Sequence, residues 1–397
     1  MELIQMYRRL EGLVIFRDLL EDPVIHKASV MLKARCQGDL SALISACADF
    51  ESALFEAGDS WTAYLRTAIL QSENVCIRRQ ASGLSSETMR RALCSELAFL
   101  EQLSQLTLAA LLDGLTDAPD FLPAWSVSPC RLTEDYQLRM QEVSTKGYGM
   151  FARYHVFTVE DGHLTPVKYP DPQRLSELPG YEHEREKIIA NTRALLEGKP
   201  ANNVLLYGDA GTGKSSSIKA IANEFAKDGL RLVEVKKNQL YQIPDLMDTL
   251  AANPLKFIFF IDDLSFTAND DNFAALKAIL EGSVGGRAKN IAVYATSNRR
   301  HLIKETMSER SGDDIHESDT RQELMSLSAR FGLTVTFGRP EKERFVDIVT
   351  ALAKRYGVEM PEDDLIRKSE AFAIRAGGRS PRVAKQFIEL CKAGVPV

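Results

Sequence analysis

The string Gly208-Asp209-Ala210-Gly211-Thr212-Gly213-Lys214-Ser215 fits the pattern G-x-x-x-x-G-K-[ST]. It follows Asn203-Val204-Leu205-Leu206-Tyr207, an apolar run that reads as a strand, and it opens a helical stretch from Ser215 to Phe225. Strand, glycine-rich loop and helix in that order make a phosphate cradle. The glycines let backbone N–H groups converge on phosphate oxygens, and the helix points its partially positive N-terminus at the same anion. Lys214 is expected to reach the β- and γ-phosphates of a nucleotide, and the Ser215 hydroxyl to bind Mg²⁺. Asp209, Ala210, Thr212 and Ser216 complete the expected binding loop.

A magnesium-bound nucleotide also needs a carboxylate at the end of a neighbouring strand. Phe257-Ile258-Phe259-Phe260-Ile261-Asp262-Asp263 supplies it, because the apolar run fits a buried parallel strand that ends in two acids. Asp262 is expected to hold the metal's water shell beside Ser215. Asp263 is then placed to polarise an attacking water.

The remaining sequence sets bounds on this reading. With 397 residues the chain exceeds one ordinary domain. Its 45% hydrophobic and 26% charged content is that of a globular protein rather than a disordered one. No apolar run approaches the roughly 20 residues that span a bilayer. The start, Met1 to Gly12, lacks the layout of a signal peptide, so a cytoplasmic protein without a membrane span is expected. Six scattered cysteines form no C-x-x-C pair, which suggests buried thiols rather than zinc or disulfides. A net charge of −6 argues against a surface that coats nucleic acid as a whole, while leaving room for a local basic patch.

Residues 1–118 read as a helical domain for a partner or for self-association. Leu40, Leu43, Ile44, Cys47, Phe50 and Leu54 form one helical stripe, and Leu93, Leu97, Leu100, Leu103, Leu106 and Leu111 a second, each either core or a docking face. A break at Thr116-Asp117-Ala118-Pro119 begins an irregular connector, 119–175. Within it, Asp161-Gly162 is flanked by two short β-like runs and predicts a hairpin. Lys146, Tyr148, Phe151, Arg153 and Tyr154 mix basic and aromatic residues as single-strand nucleic-acid surfaces do, or simply pack on the next domain. From 176 to 340 helices alternate with five strand candidates, which predicts an α/β domain with a five-stranded parallel sheet. After Pro340 only helical patterns remain, so 341–397 is expected to be a small helical lid.

These motifs resemble the AAA+ ATPases from about Leu178 onward, which implies an αβα P-loop sandwich, ATP and Mg²⁺ as cofactors, and ATP hydrolysis to ADP. The resemblance assigns Asn298, in Tyr294-Ala295-Thr296-Ser297-Asn298, to the first polar sensor of the γ-phosphate. It assigns Arg330, in Ser328-Ala329-Arg330-Phe331-Gly332, to an arginine finger that enters a neighbouring subunit's site, and hence implies a homo-oligomer such as a hexameric ring. In Gly377-Gly378-Arg379-Ser380-Pro381-Arg382, Arg382 matches the second sensor, with Arg379 as the reserve. Leu178-Pro179-Gly180-Tyr181 is similar to the stretch beside the adenine, with Tyr181 as the base contact.

Asp262-Asp263 departs from the family's usual Asp-Glu, which favours a slow switch over a fast motor. The short connection from Gly282 to Asn290 leaves no room for the hairpin inserted there in several motor clades. FIDDLSF, YATSNRRH and LSARFGL, in that order, resemble the bacterial AAA+ domain-of-unknown-function family 815. Three functions fit: remodelling or loading of a macromolecular partner, a nucleotide-gated assembly switch, and a DNA-associated initiator or helicase-loader. A protein client and a nucleic acid both stay open. The polar run Glu305 to Thr320, with Arg299, Arg300, His301 and Lys304 before it, is either a solvated connection or a contact to a neighbour.

Overall fold

The helical and the alternating parts of the sequence fold as two units, Met1–Arg153 and Tyr154–Val397. The structure is a computed structural model that describes residues 2–397 apart from 82, 83, 85, 116–120, 123, 266–271, 282–287 and 299–328. The break at 116–119, the connection after Gly282 and the polar run 305–320 with its preceding basic residues therefore lie outside the described residues.

The first unit is all helix: α1 (Leu3–Glu11), α2 (Pro23–Gln37), α3 (Leu40–Ala57), α4 (Trp61–Gln71), α5 (Val75–Ala81), α6 (Glu87–Leu103), α7 (Leu108–Leu112), α8 (Leu132–Gln141), and the short turns α9 (Val143–Lys146) and α10 (Met150–Arg153). Local chemistry fixes the ends. In α2, the Asp22 carboxylate accepts from the Val24 and Ile25 N–H groups, Pro23 fills the first turn, and Gly38 ends the helix at φ 74°. Both sequence stripes turn inward, since Leu43, Cys47, Phe50 and Leu54 of one and Leu97, Leu100, Leu103, Leu106 and Leu111 of the other are buried. Phe50 meets Trp61 and Trp125 edge-on at 5.2 and 4.9 Å, and the two indole N–H groups donate to the Leu103 and Leu106 carbonyls.

The middle of the stretch expected as irregular connector, residues 132–153, is mostly helical. Leu132, Tyr136 and Met140 recur every four residues and are buried, so α8 packs as a regular amphipathic helix hidden between prolines in the sequence. Tyr148 and Phe151 are buried as well. Their rings serve the core, which removes the stacking faces that the basic-aromatic string requires.

The second unit is α/β. Its strands are β1 (Val156–Glu160), β2 (His163–Pro166), β3 (Val204–Gly208), β4 (Leu230–Glu234), β5 (Lys256–Ile261), β6 (Ile291–Ser297) and β7 (Leu333–Phe337), in the order β2-β1-β4-β5-β6-β3-β7. The five strands expected from the sequence are all parallel, and the sheet has seven because the hairpin β1–β2 joins it, β1 running parallel to β4. The physical reason is edge protection: β1 covers the open side of β4 with buried Val156, Phe157 and Val159. Asp161 and Gly162, both at positive φ, make the two-residue turn.

Around the sheet lie α11 (Glu182–Leu196), α12 (Lys214–Glu224), α13 (Ile243–Ala251) and α14 (Asn272–Glu281), followed by three C-terminal helices, α15 (Lys342–Tyr356), α16 (Glu362–Arg375) and α17 (Pro381–Lys392), where the sequence led one to expect a lid. Phe257 to Ile261 of β5 are fully buried, as a strand covered on both faces requires. Because β3, β5 and β6 are parallel neighbours in the sheet, the loops after them emerge at one edge. All the expected phosphate and metal residues follow these strands. No helix among the described residues is long and apolar enough to cross a membrane.

Candidate functional site

The phosphate loop is locked to the end of β7. Gly208 sits at φ 139°, and a Cβ there would collide with the Phe337 carbonyl. The Asp209 N–H donates to that carbonyl at 3.1 Å, and the Asp209 carboxylate accepts from the Arg339 N–H at 2.9 Å. Gly211 and Gly213, at φ 77° and 92°, complete a turn that ordinary side chains would strain. α12 begins at Lys214, so its N-terminus faces the loop. Lys214 is only 6% exposed, and its Nζ donates to Gly208 O (2.8 Å), Asp209 O (2.7 Å) and Asn298 Oδ1 (3.0 Å). Burial pushes its pKa down, against the opposing pull of Asp209, Asp262 and Asp263.

The two acids stand beside this loop. The Ser215 hydroxyl donates to Asp262 Oδ1 at 2.6 Å. That same oxygen accepts the Thr296 hydroxyl and, at 3.1 Å, the Asp263 N–H. Asp263 lies at φ 50°, in the left-handed region that Asp tolerates better than most residues. Its carboxylate accepts from Asn298 Nδ2 at 2.8 Å. A magnesium nucleotide fits this donor set. Loop amides and Lys214 suit phosphate oxygens, the Ser215 hydroxyl suits direct coordination, and Asp262 can hold water on the ion. The bound ion would neutralise charge between β- and γ-phosphates. Thr296, which joins both acids, is a residue that sequence reading passed over as strand.

These groups line a cleft of about 670 Å³. Its apolar wall is Leu178, Pro179, Ile348, Leu352 and Tyr356, suited to a flat base, while Arg355, Arg382 and Lys385 bring positive charge from the lid. The α15 side of this wall was invisible in the sequence, where Ile348 and Leu352 belong to a stretch that gives only a helical pattern. Leu178 is held in place by Arg185, whose guanidinium donates to its carbonyl at 2.6 Å. An ion pair between Glu177 and Arg355 closes one rim.

Tyr181 is not in this wall. It is 2% exposed, stacks on Phe337 at 5.3 Å, lies under Arg344, and donates its hydroxyl to the Gly338 carbonyl at 2.6 Å. The expected base contact is therefore a core residue, and its neighbours Leu178 and Pro179 take the cleft.

Arg382 does line the cleft, and its backbone N–H donates to the Gly211 carbonyl at 3.1 Å, at the start of α17, where the Ser380 hydroxyl accepts from the Val383 N–H. Arg379 is committed elsewhere, forked onto Glu370 at 2.6–3.1 Å. Arg330 stands outside the cleft and pairs with Glu281. It precedes β7, at the sheet edge where the Leu333 N–H meets the Asn203 carbonyl. A strand of five residues, about 16 Å at 3.3 Å per residue, separates that edge from the phosphate loop. Ser328 lies outside the described residues.

Among solved structures the chain is similar to Thermotoga maritima RuvB, described as a Holliday junction branch migration motor, at 18% identity over 56% of this chain and 67% of that one, with a TM-score of 0.39. A point mutant of the same RuvB matches at 18% identity over 56% of this chain and 68% of that one, with a TM-score of 0.37. The model of a protein family, described as Protein of unknown function (DUF815), matches residues 151–395. The hairpin, the glycine-rich loop, the paired acids, Asn298 and the C-terminal helices all fall inside that match, and the chain belongs to this family.

Proposed function

We propose that the protein is an oligomeric ATPase that binds Mg-ATP in the cleft and couples binding or hydrolysis to remodelling or loading of a macromolecular partner. In this reading Lys214 and the loop amides hold the phosphates, and Ser215 and Asp262 hold the metal. Asp263 and Asn298 orient the attacking water, and Arg382 reports the nucleotide to the lid. The observation that carries the oligomer is the position of Arg330. An arginine a strand length from its own cleft can act on phosphate only in another subunit's cleft, where its fixed charge stabilises the transferring phosphoryl group.

The test is complementation. Mass and ATP turnover are measured for the wild type, Arg330→Ala, Lys214→Ala and an equal mixture of the two variants. Particles that grow with Mg-ATP are expected, each variant losing turnover by about 10³-fold and the mixture recovering a fraction of it. A protein that stays monomeric with Mg-ATP, and whose Arg330→Ala variant turns over normally, overturns the reading.

Asp263 favours a second reading, a nucleotide-gated assembly switch that hydrolyses slowly. Its side chain is short and already tied to Asn298. In a switch, Lys214→Ala abolishes assembly whereas Asp263→Ala leaves it intact.

A further inference from the structure

Two adjacent acids at the end of a strand cannot both serve one site while the strand stays extended, because consecutive side chains point to opposite faces. In this protein the alternation is broken at Asp263, which adopts φ 50°. Such a conformation is strained for a non-glycine residue and persists only where its surroundings hold it.

We propose that Thr296 is the positioning residue that holds this turn, and so orients both Asp262 toward the metal and Asp263 toward the attacking water. The inference rests on the ATPase reading above. The Thr296 hydroxyl has one proton and directs it to Asp262 Oδ1, while its oxygen accepts the Asp263 N–H at 2.9 Å. The Thr296 carbonyl accepts the next amide, Leu264 N–H, at 2.7 Å. One residue of β6 therefore binds three consecutive residues of the turn after β5.

The anchor is rigid. β5 and β6 remain paired up to Ile261 opposite Ala295, and Thr296 itself is in register with Leu206 of β3. It is 2% exposed, so water is poorly placed to substitute for the hydroxyl. With Ser215, Thr296 and the Asp263 amide all on Oδ1 of Asp262, its Oδ2 is left for the metal's water shell. Valine has the same shape and an equal preference for a strand, but neither donates nor accepts. It would leave the Asp263 amide with only its 3.1 Å contact to Asp262.

The test separates positioning from support of the fold. For Thr296→Val, nucleotide binding in EDTA should stay within about 2-fold of wild type. The Mg²⁺ concentration that half-saturates tight ATP binding should rise about 10-fold, and turnover should fall about 10- to 100-fold, the range typical of residues that orient metal ligands. Thr296→Ser keeps the hydroxyl and should restore both values to within about 3-fold. A wild-type Mg²⁺ dependence in Thr296→Val overturns the inference. So does a parallel loss of metal-free nucleotide binding and thermal stability in both variants, which marks a residue that only supports the fold. If the wild type binds Mg-ATP but does not hydrolyse it, hydrolysis fails as a function while the Mg²⁺ titration still decides the role of Thr296. A wild type that binds no nucleotide removes both.

Discussion

Asn298 donates its amide N–H to the Asp263 carboxylate at 2.8 Å, and the oxygen of the same amide accepts from Lys214 at 3.0 Å. The two partners fix the orientation of the amide, since an ammonium can only donate and a carboxylate can only accept. A single side chain thus spans Lys214 and Asp263. Under the proposed ATPase reading, a phosphate that drew Lys214 from its present acceptors would cost Asn298 one of its two partners and leave its amide to turn toward the γ-phosphate or the attacking water.

Removing that bridge should cost turnover far more than binding. For Asn298→Ala, a loss of about 10²-fold in kcat is expected, comparable to deleting one donor aimed at a transition state. The nucleotide dissociation constant should change by no more than a few fold. Isothermal titration beside steady-state turnover checks the split, and an equal loss in both would make Asn298 a binding residue instead.

Lys214 gives a pH dependence whose sign follows from burial. Its pKa in the folded protein lies below the ordinary lysine value of 10.5, because the desolvated ammonium is penalised. Between the folded and unfolded values the unfolded chain binds more protons, so stability rises with pH through that window. Below the folded value the penalty is present in full. Thermal midpoints of the nucleotide-free protein should therefore climb, relative to Lys214→Met, which carries no such charge, as pH rises toward the ordinary lysine value of 10.5. A midpoint difference that stays flat with pH contradicts the assignment.

The glycine-rich loop and the paired acids of the candidate site were legible because their pattern is local. Gly208 to Ser215 and Asp262-Asp263 are short runs whose residue types have few other uses. Asn298 was legible only through resemblance, and the structure brings its amide to both Lys214 and Asp263. Thr296 was not legible, since a hydroxyl in a β-branched strand looks like strand propensity until its partner turn is seen. Tyr181 shows the opposite failure. Its neighbours Leu178 and Pro179 do line the cleft, but the left-handed φ of 62° at Tyr181 turns the chain inward at the start of α11. The hairpin strands were legible, but their place in the sheet was not, because a hairpin pattern gives no sign of which sheet it will extend.

The division between cleft and core predicts opposite outcomes for two apolar-wall candidates. Tyr181→Phe loses the hydrogen bond to the Gly338 carbonyl and should cost about 1 kcal/mol of stability with ATP affinity nearly unchanged. Leu352→Ala strips a side chain from the cleft wall and should weaken ATP by about 10-fold while sparing binding of inorganic triphosphate, which has no base. Competition titrations with both ligands distinguish them. A Tyr181→Phe variant that loses ATP but keeps triphosphate would return Tyr181 to the base site.

Glu51 gives the helical unit its own pH response. It is 3% exposed on α3, one carboxylate oxygen has no hydrogen-bond partner, and burial raises its pKa from 4.5 to about 7. For an acid whose folded pKa lies above its unfolded value, the associated stability is fully present below the unfolded pKa and is lost as pH rises through the folded one. The unit should therefore weaken between about pH 4.5 and 7, by no more than about 1.4 kcal/mol per pH unit, the limit for one proton, and level off above that. Both tryptophans of the chain, Trp61 and Trp125, are buried in this unit, so indole fluorescence follows its unfolding without interference from the other. Urea midpoints read this way should fall across that range in the wild type and stay nearly level in Glu51→Gln, whose amide cannot ionise. A wild-type midpoint that stays as level as that of Glu51→Gln would mean that Glu51 binds no extra proton in the folded unit, and would contradict the raised pKa.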